Sequence, residues 1–77
     1  MKEFLEHVVR QLVTNPDAVE VTVTQGETLS ILVLRVAPAD LGRVIGKEGR
    51  TVSALRTLLM AIASRLNQKI ALEIADE

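Results

Sequence analysis

The chain has 77 residues, no cysteine, Trp or Tyr, a single Phe and a single His, and nine Lys and Arg against ten Asp and Glu for a net charge of −1. These counts exclude a disulfide framework, a thiolate metal centre and an aromatic platform for stacked bases, and leave one imidazole, His7, for any metal or triad chemistry. The longest wholly apolar run, Leu58 to Ala63, is too short to cross a bilayer. Met1-Lys2-Glu3-Phe4 lacks the charged-then-apolar layout of a secretory leader, so a cytoplasmic location is expected.

Residues 2–14 place Phe4, Leu5, Val8, Val9, Leu12 and Val13 on one helical face, with Lys2, Glu6, Arg10 and Gln11 opposite. Asn15-Pro16-Asp17 ends that helix, because proline lacks the amide proton and restricts the residue before it. From Ala18 the period becomes two: Val19, Val21 and Val23 alternate with Glu20, Thr22 and Thr24, predicting a strand with one buried face. Gln25-Gly26-Glu27 makes the turn. The run Thr28–Val36 is apolar on both faces, which places it centrally in a sheet. Pro38 suits a first helical turn, where Asp40 would face the positive dipole end. Gly46 and Gly49 keep that helix short. The helical period returns from Arg50 to about Leu66 on the stripe Val52, Leu55, Leu59, Ile62 and Leu66. After Asn67-Gln68, Ile70, Leu72 and Ile74 alternate as a last strand. The order is α-β-β-α-α-β. A helical crossover from the second strand to the third most simply makes those two parallel and right-handed. The fold class is therefore α+β: a three-stranded mixed sheet with three helices on one face, in one domain over residues 1–77.

Charge is uneven along the chain. Leu41–Arg56 holds Arg43, Lys47, Arg50 and Arg56 against Glu48 alone, a local +3 that leaves −4 for the remainder. Gly46-Lys47-Glu48-Gly49 joins two helices at the centre of this segment. Its glycines permit a sharp turn and the close approach of another backbone. The loop opens into a helix N-terminus, whose unpaired amides and dipole favour an anion, and Lys47 and Arg50 add positive charge. Ile45, Val52 and Leu55 alongside would form an apolar wall suited to unstacked bases. The segment fails as a nucleotide P-loop: three residues separate Gly42 from Gly46, and Glu48 stands where Ser or Thr is needed. No pair of carboxylates has general acid–base spacing, His7 falls on the polar side of its helix, and no catalytic residue, metal ligand or cofactor site is expected. Leu58, Met60 and Ala61 exceed what one core stripe requires and form a candidate dimer surface.

A bare G-x-x-G is common as a helix–helix turn. Here Val44-Ile45-Gly46-Lys47-Glu48-Gly49-Arg50-Thr51-Val52 resembles the core signature of the KH domain, and the element order resembles its type II, prokaryotic form. The longer string Asp40–Thr51 with Ala54-Leu55-Arg56 is similar to the small bacterial stand-alone KH proteins of the KhpA family. The resemblance implies a protein holding about four nucleotides of single-stranded RNA. It places phosphate contact at Gly46, Lys47, Glu48 and Gly49, and groove walls at Ile45, Val52 and Leu55 with the strand from Lys69 to Leu72 opposite. Arg43, Arg50, Arg56 and Lys69 complete the candidate RNA contacts. It further implies a homodimer, or a heterodimer with a larger KH-containing partner of the KhpB type. RNA chaperoning or post-transcriptional regulation, cell shape and envelope synthesis are the roles implied. Two features depart from the family pattern: Glu48 opposes phosphate, and Asn67-Gln68-Lys69 is short where many KH domains carry a longer variable loop. A protein–protein adaptor on the same scaffold is the alternative reading.

Overall fold

In chain order, the computed structural model, which describes residues 1–75, contains α1 (Lys2–Arg10), β1 (Glu20–Gln25), β2 (Ser30–Arg35), α2 (Leu41–Ile45), α3 (Arg50–Arg65) and β3 (Ile70–Ile74). Single 3₁₀ turns stand at Pro16–Ala18, Pro38–Asp40 and Lys47–Gly49. The sheet order is β1-β2-β3, with β1 antiparallel and β3 parallel to β2. This is the expected α-β-β-α-α-β arrangement, with the most apolar strand at the centre.

The register explains the core. Val21 lies opposite Leu34, Val23 opposite Leu32, and Leu32 opposite Leu72, so these side chains share the face covered by the helices. Leu5 and Val9 of α1, Val44 of α2, and Val52, Leu55 and Leu59 of α3 close over it. Ile31 and Val33, on the other face of β2, are only half-buried. No helix layer covers that face among the described residues, and the flanking strands provide its shielding.

Four expectations need correction. α1 ends at Arg10 and does not reach residue 14: the Gln11 and Leu12 amides donate to Val8 and Val9 in i→i−3 bonds, and those of Thr14 and Asn15 donate to Asp40. Phe4 and Leu12, given to the apolar face, are 39% and 38% exposed. Val23 is also exposed, although its register points it inward, because it borders an open cavity that the start of α1 lines without filling. The apolar stripe of α3 runs through Val52, Leu55, Leu59 and Ala63, with Ile62 half-buried and Leu66 exposed. Leu66 follows the last helical residue, where the chain turns away from the core.

Candidate nucleic-acid interface

The route to the glycine loop begins at Asp40. Its side chain is fully buried, and it is not bonded to the amides of its own helix. Thr14 donates to its Oδ1 through the backbone N–H at 3.0 Å and the hydroxyl at 2.7 Å. Asn15 donates to its Oδ2 through the backbone N–H at 3.0 Å and the side-chain amide at 3.1 Å. Asp40 thus stands at the start of α2, as its position predicts, and its side chain clamps the end of α1 to that start. The Thr14 backbone N–H is the main cause that lowers the carboxyl to about 2. Burial opposes the shift, and the Thr14 hydroxyl and both Asn15 donors reinforce it. Arg43 lies 3.7 Å from the same carboxylate while its own side chain stays largely in solvent.

α2 then delivers the chain to Gly46, whose amide closes the helix on the Gly42 carbonyl at 2.8 Å. Gly46 has φ +78° and ψ 173°, a conformation essentially confined to glycine. A Cβ there would also strike the Thr51 hydroxyl, and would lie 2.8 Å from both the Cβ and the amide nitrogen of Thr51. Glu48 (φ +57°) and Gly49 (φ +75°) are both left-handed, which folds the loop back so that Gly49 donates to the Gly46 carbonyl at 3.1 Å. A Cβ at Gly49 would meet nothing within 4 Å. The two glycines are thus needed for different reasons: Gly46 for conformation and close approach, Gly49 for conformation alone.

Lys47 and Glu48 project at the exposed tip of the turn. Arg50, the first residue of α3, lies 3.5 Å from Glu48, with both side chains mostly in solvent. Such a pair is worth at most about 1 kcal/mol. Arg50 is therefore easily diverted to a stronger anion, and the amides of the first turn of α3 lie beside it.

The structure gathers Ile45, Gly46, Lys47, Glu48, Gly49 and Arg50 at one end of α3, Ile45 half-buried against the core. It treats the other candidates differently. Val52 and Leu55 are 7% and 6% exposed; they serve the core and offer little surface as groove walls. Arg56 lies six residues into α3, about 9 Å along its axis, and its Nε donates to the Leu72 carbonyl at 3.2 Å. That bond ties α3 to the edge strand β3 and occupies a backbone acceptor that an edge would leave open. Lys69 lies beyond the far end of α3, a helix of 16 residues and about 24 Å.

Between α3 and β3 runs a groove that the expected wall residues did not define. One cavity of about 200 Å³ is lined by Arg56, Met60 and the strand residues Ile70 to Leu72. Met60 therefore belongs to the groove. It is two positions from Leu58, about 200° around the helix, so the candidate dimer surface of Leu58, Met60 and Ala61 divides between two faces. Leu58 and Ala61, three apart, remain together. The i, i+4 spacing from Arg56 to Met60 was the signal that could have found this face. Among the described residues no group of His, Cys, Asp and Glu could hold a metal ion, and no helix is long and apolar enough to cross a membrane.

A family model described as the KH domain of KhpA/KhpB matches residues 2–74. The chain belongs to this KhpA/KhpB KH-domain family. Relatives of matching length carry the name RNA-binding protein KhpA. The one from Chlamydia trachomatis serovar D is 51% identical over 77 residues, covering 100% of this chain and 99% of the relative. The one from Treponema pallidum is 51% identical over 75 residues, covering 97% and 94%. The one from Aquifex aeolicus is 45% identical over 76 residues, covering 99% and 96%. No solved structure matches.

Proposed function

We propose that this chain is a non-catalytic module that binds single-stranded RNA, with residues 1–77 acting as one KH unit. The observation that carries the reading is the Gly46–Gly49 turn. It presents Lys47 and Arg50 at the positive end of the α3 dipole, at one end of the α3–β3 groove. Phosphates would lie along Gly46–Arg50, and bases would enter the groove between Arg56 and Ile70–Leu72. KH domains clamp about four nucleotides in this manner. The names of the relatives agree with it. Arg43 and Lys69 add charge at either side, and Glu48 moderates the affinity.

An amide NMR titration with a short degenerate single-stranded RNA pool tests the reading. Shifts concentrated at Gly46–Thr51 and Lys69–Leu72 are expected. Their absence at low salt would favour the adaptor role instead. For the assembly, we infer pairing with a second copy or with a larger KH protein of the KhpB type, through the Leu58 and Ala61 face, 45% of Leu58 being exposed. Sedimentation as a monomer at tens of micromolar, with no such partner captured, would remove that part. A cytoplasmic RNA chaperone or regulator, acting on cell shape and envelope synthesis, is the cellular role this assignment carries.

A further inference from the structure

The groove does not end at the first cavity. Met60 and Ile70 also line a second, larger one of about 630 Å³, which continues past the end of α3 to Leu29 of the β1–β2 hairpin. Its volume is within the range of small-molecule sites. Met60, 57% exposed, and Leu29, 40% exposed, offer apolar surface that a flat ring could lie against without aromatic stacking. Ser64, Asn67, Gln68 and Lys69 provide a hydroxyl, two side-chain amides and one cation, and none of the lining residues is a carboxylate.

The backbone here is closed by its own hydrogen bonds. The Gln68 amide donates to the Ala63 carbonyl at 2.8 Å and the Asn67 amide to the Ser64 carbonyl at 3.1 Å, with Asn67 left-handed at φ +58°. That is the Schellman closure of α3. The pocket thus sits at the negative end of a helix dipole, which disfavours phosphate and favours hydrogen-bond donors. Only Lys69, on the strand side, suits a phosphate.

From this juxtaposition we infer that the far cavity is a subsite for one further base of the same RNA strand, selective for bases bearing an exocyclic amino group over uracil. The base lies against Met60 and Leu29, its amino group toward the end of α3 and the Asn67 and Gln68 amides, and its phosphate near Lys69. Continuity with the first cavity and the single cation, Lys69, in a lining without carboxylates favour a nucleotide over a peptide, although Glu27 lines the neighbouring cavity that Lys69 also borders. The inference rests on the RNA reading above and adds a specificity to it.

The test compares a tetranucleotide with hexanucleotides extended at the 5′ or 3′ end by two adenosines, two uridines, two purine ribosides lacking the amino group, or two abasic units, using the full chain. Adenosine extension at one end is expected to tighten binding about three- to tenfold, the range of a single net hydrogen bond. The uridine, purine and abasic extensions should give little of that gain. Leu29→Glu should abolish the gain while leaving tetranucleotide affinity within about twofold. Asn67→Gly, which keeps the left-handed cap, should reduce the gain without loss of fold. Equal gains from adenosine and abasic extension, or a gain that survives Leu29→Glu, would overturn the subsite but leave the RNA reading standing. Failure of the tetranucleotide and all hexanucleotides to bind would overturn both. Shifts at Leu29 and Met60 on raising protein concentration alone would assign the cavity to a second copy and overturn it as well.

Discussion

Replacing Gly46 by Ala should cost this protein far more than the same change at Gly49, although the two glycines are three residues apart in one motif. At Gly46 the backbone (φ +78°, ψ 173°) lies where a side chain costs about 1–3 kcal/mol. The new Cβ would also meet the Thr51 Cβ and amide nitrogen, each 2.8 Å away, an overlap of the kind that adds about 1–3 kcal/mol. Loss of unfolded-chain entropy returns about 0.4–1 kcal/mol. The net is about 2–5 kcal/mol. At Gly49 the left-handed conformation costs about 1–2 kcal/mol, nothing lies within 4 Å of the new Cβ, and the same entropy term leaves at most about 1.6 kcal/mol. For a domain of this size a loss of 1 kcal/mol lowers Tm by about 4–8 °C. Gly49→Ala should therefore shift Tm by several degrees, and Gly46→Ala should consume a large part of the total stability. Urea denaturation followed by circular dichroism measures both, with an unchanged m-value showing that stability changed without a change in the surface exposed on unfolding. Adding Thr51→Ala to Gly46→Ala should recover only part of the loss, since Cβ and the backbone nitrogen remain. If Gly49→Ala proved as costly as Gly46→Ala, the close approach of Thr51 would not be what excludes a side chain.

Four further outcomes follow from the same geometry. The double change Lys47→Asp, Glu48→Asp should abolish RNA binding and leave the fold intact, because both side chains are exposed and Asp tolerates the left-handed conformation of residue 48; native dispersion in an amide spectrum checks the fold, and its loss would mean the loop is structural. Glu48→Asn should tighten RNA binding by releasing Arg50, and the wild-type salt slope should be shallow, about −1.5 to −3 in log–log form for two to four phosphate contacts. Asp40 titrates at about 2 when folded and about 3.9 when unfolded, so its contribution is complete above pH 4 and is lost as pH falls through 2. Asp40→Asn should lower stability at pH 7 and flatten that acid limb in urea titrations; an unchanged acid limb would show that the clamp on Thr14 and Asn15 is not what holds the α1–α2 junction.

Local patterns in the chain determined a great deal. Period 3.6 in residues 50–66, period 2 in 19–24 and 70–75, and Pro and Gly at the breaks specify the elements and their order, because each depends on side-chain direction within a few residues. The two-sided apolar character of Ile31–Leu34 placed β2 centrally, and the glycine spacing with its cations located the loop. What local pattern could not determine was which apolar residues face a neighbour and which face a groove. Leu55 and Arg56 are adjacent in sequence, yet one is in the core and the other bonds the edge of β3 at Leu72. Met60 belongs with Arg56 only because β3 packs beside that side of α3. Thr14 and Asn15 leave α1 because a carboxylate 26 and 25 residues away accepts their amides, bonds with no trace in the helical period. Periodicity reports the faces of one element. The tertiary structure decides what each face meets, because burial and hydrogen bonding are settled between elements that the chain brings together only on folding.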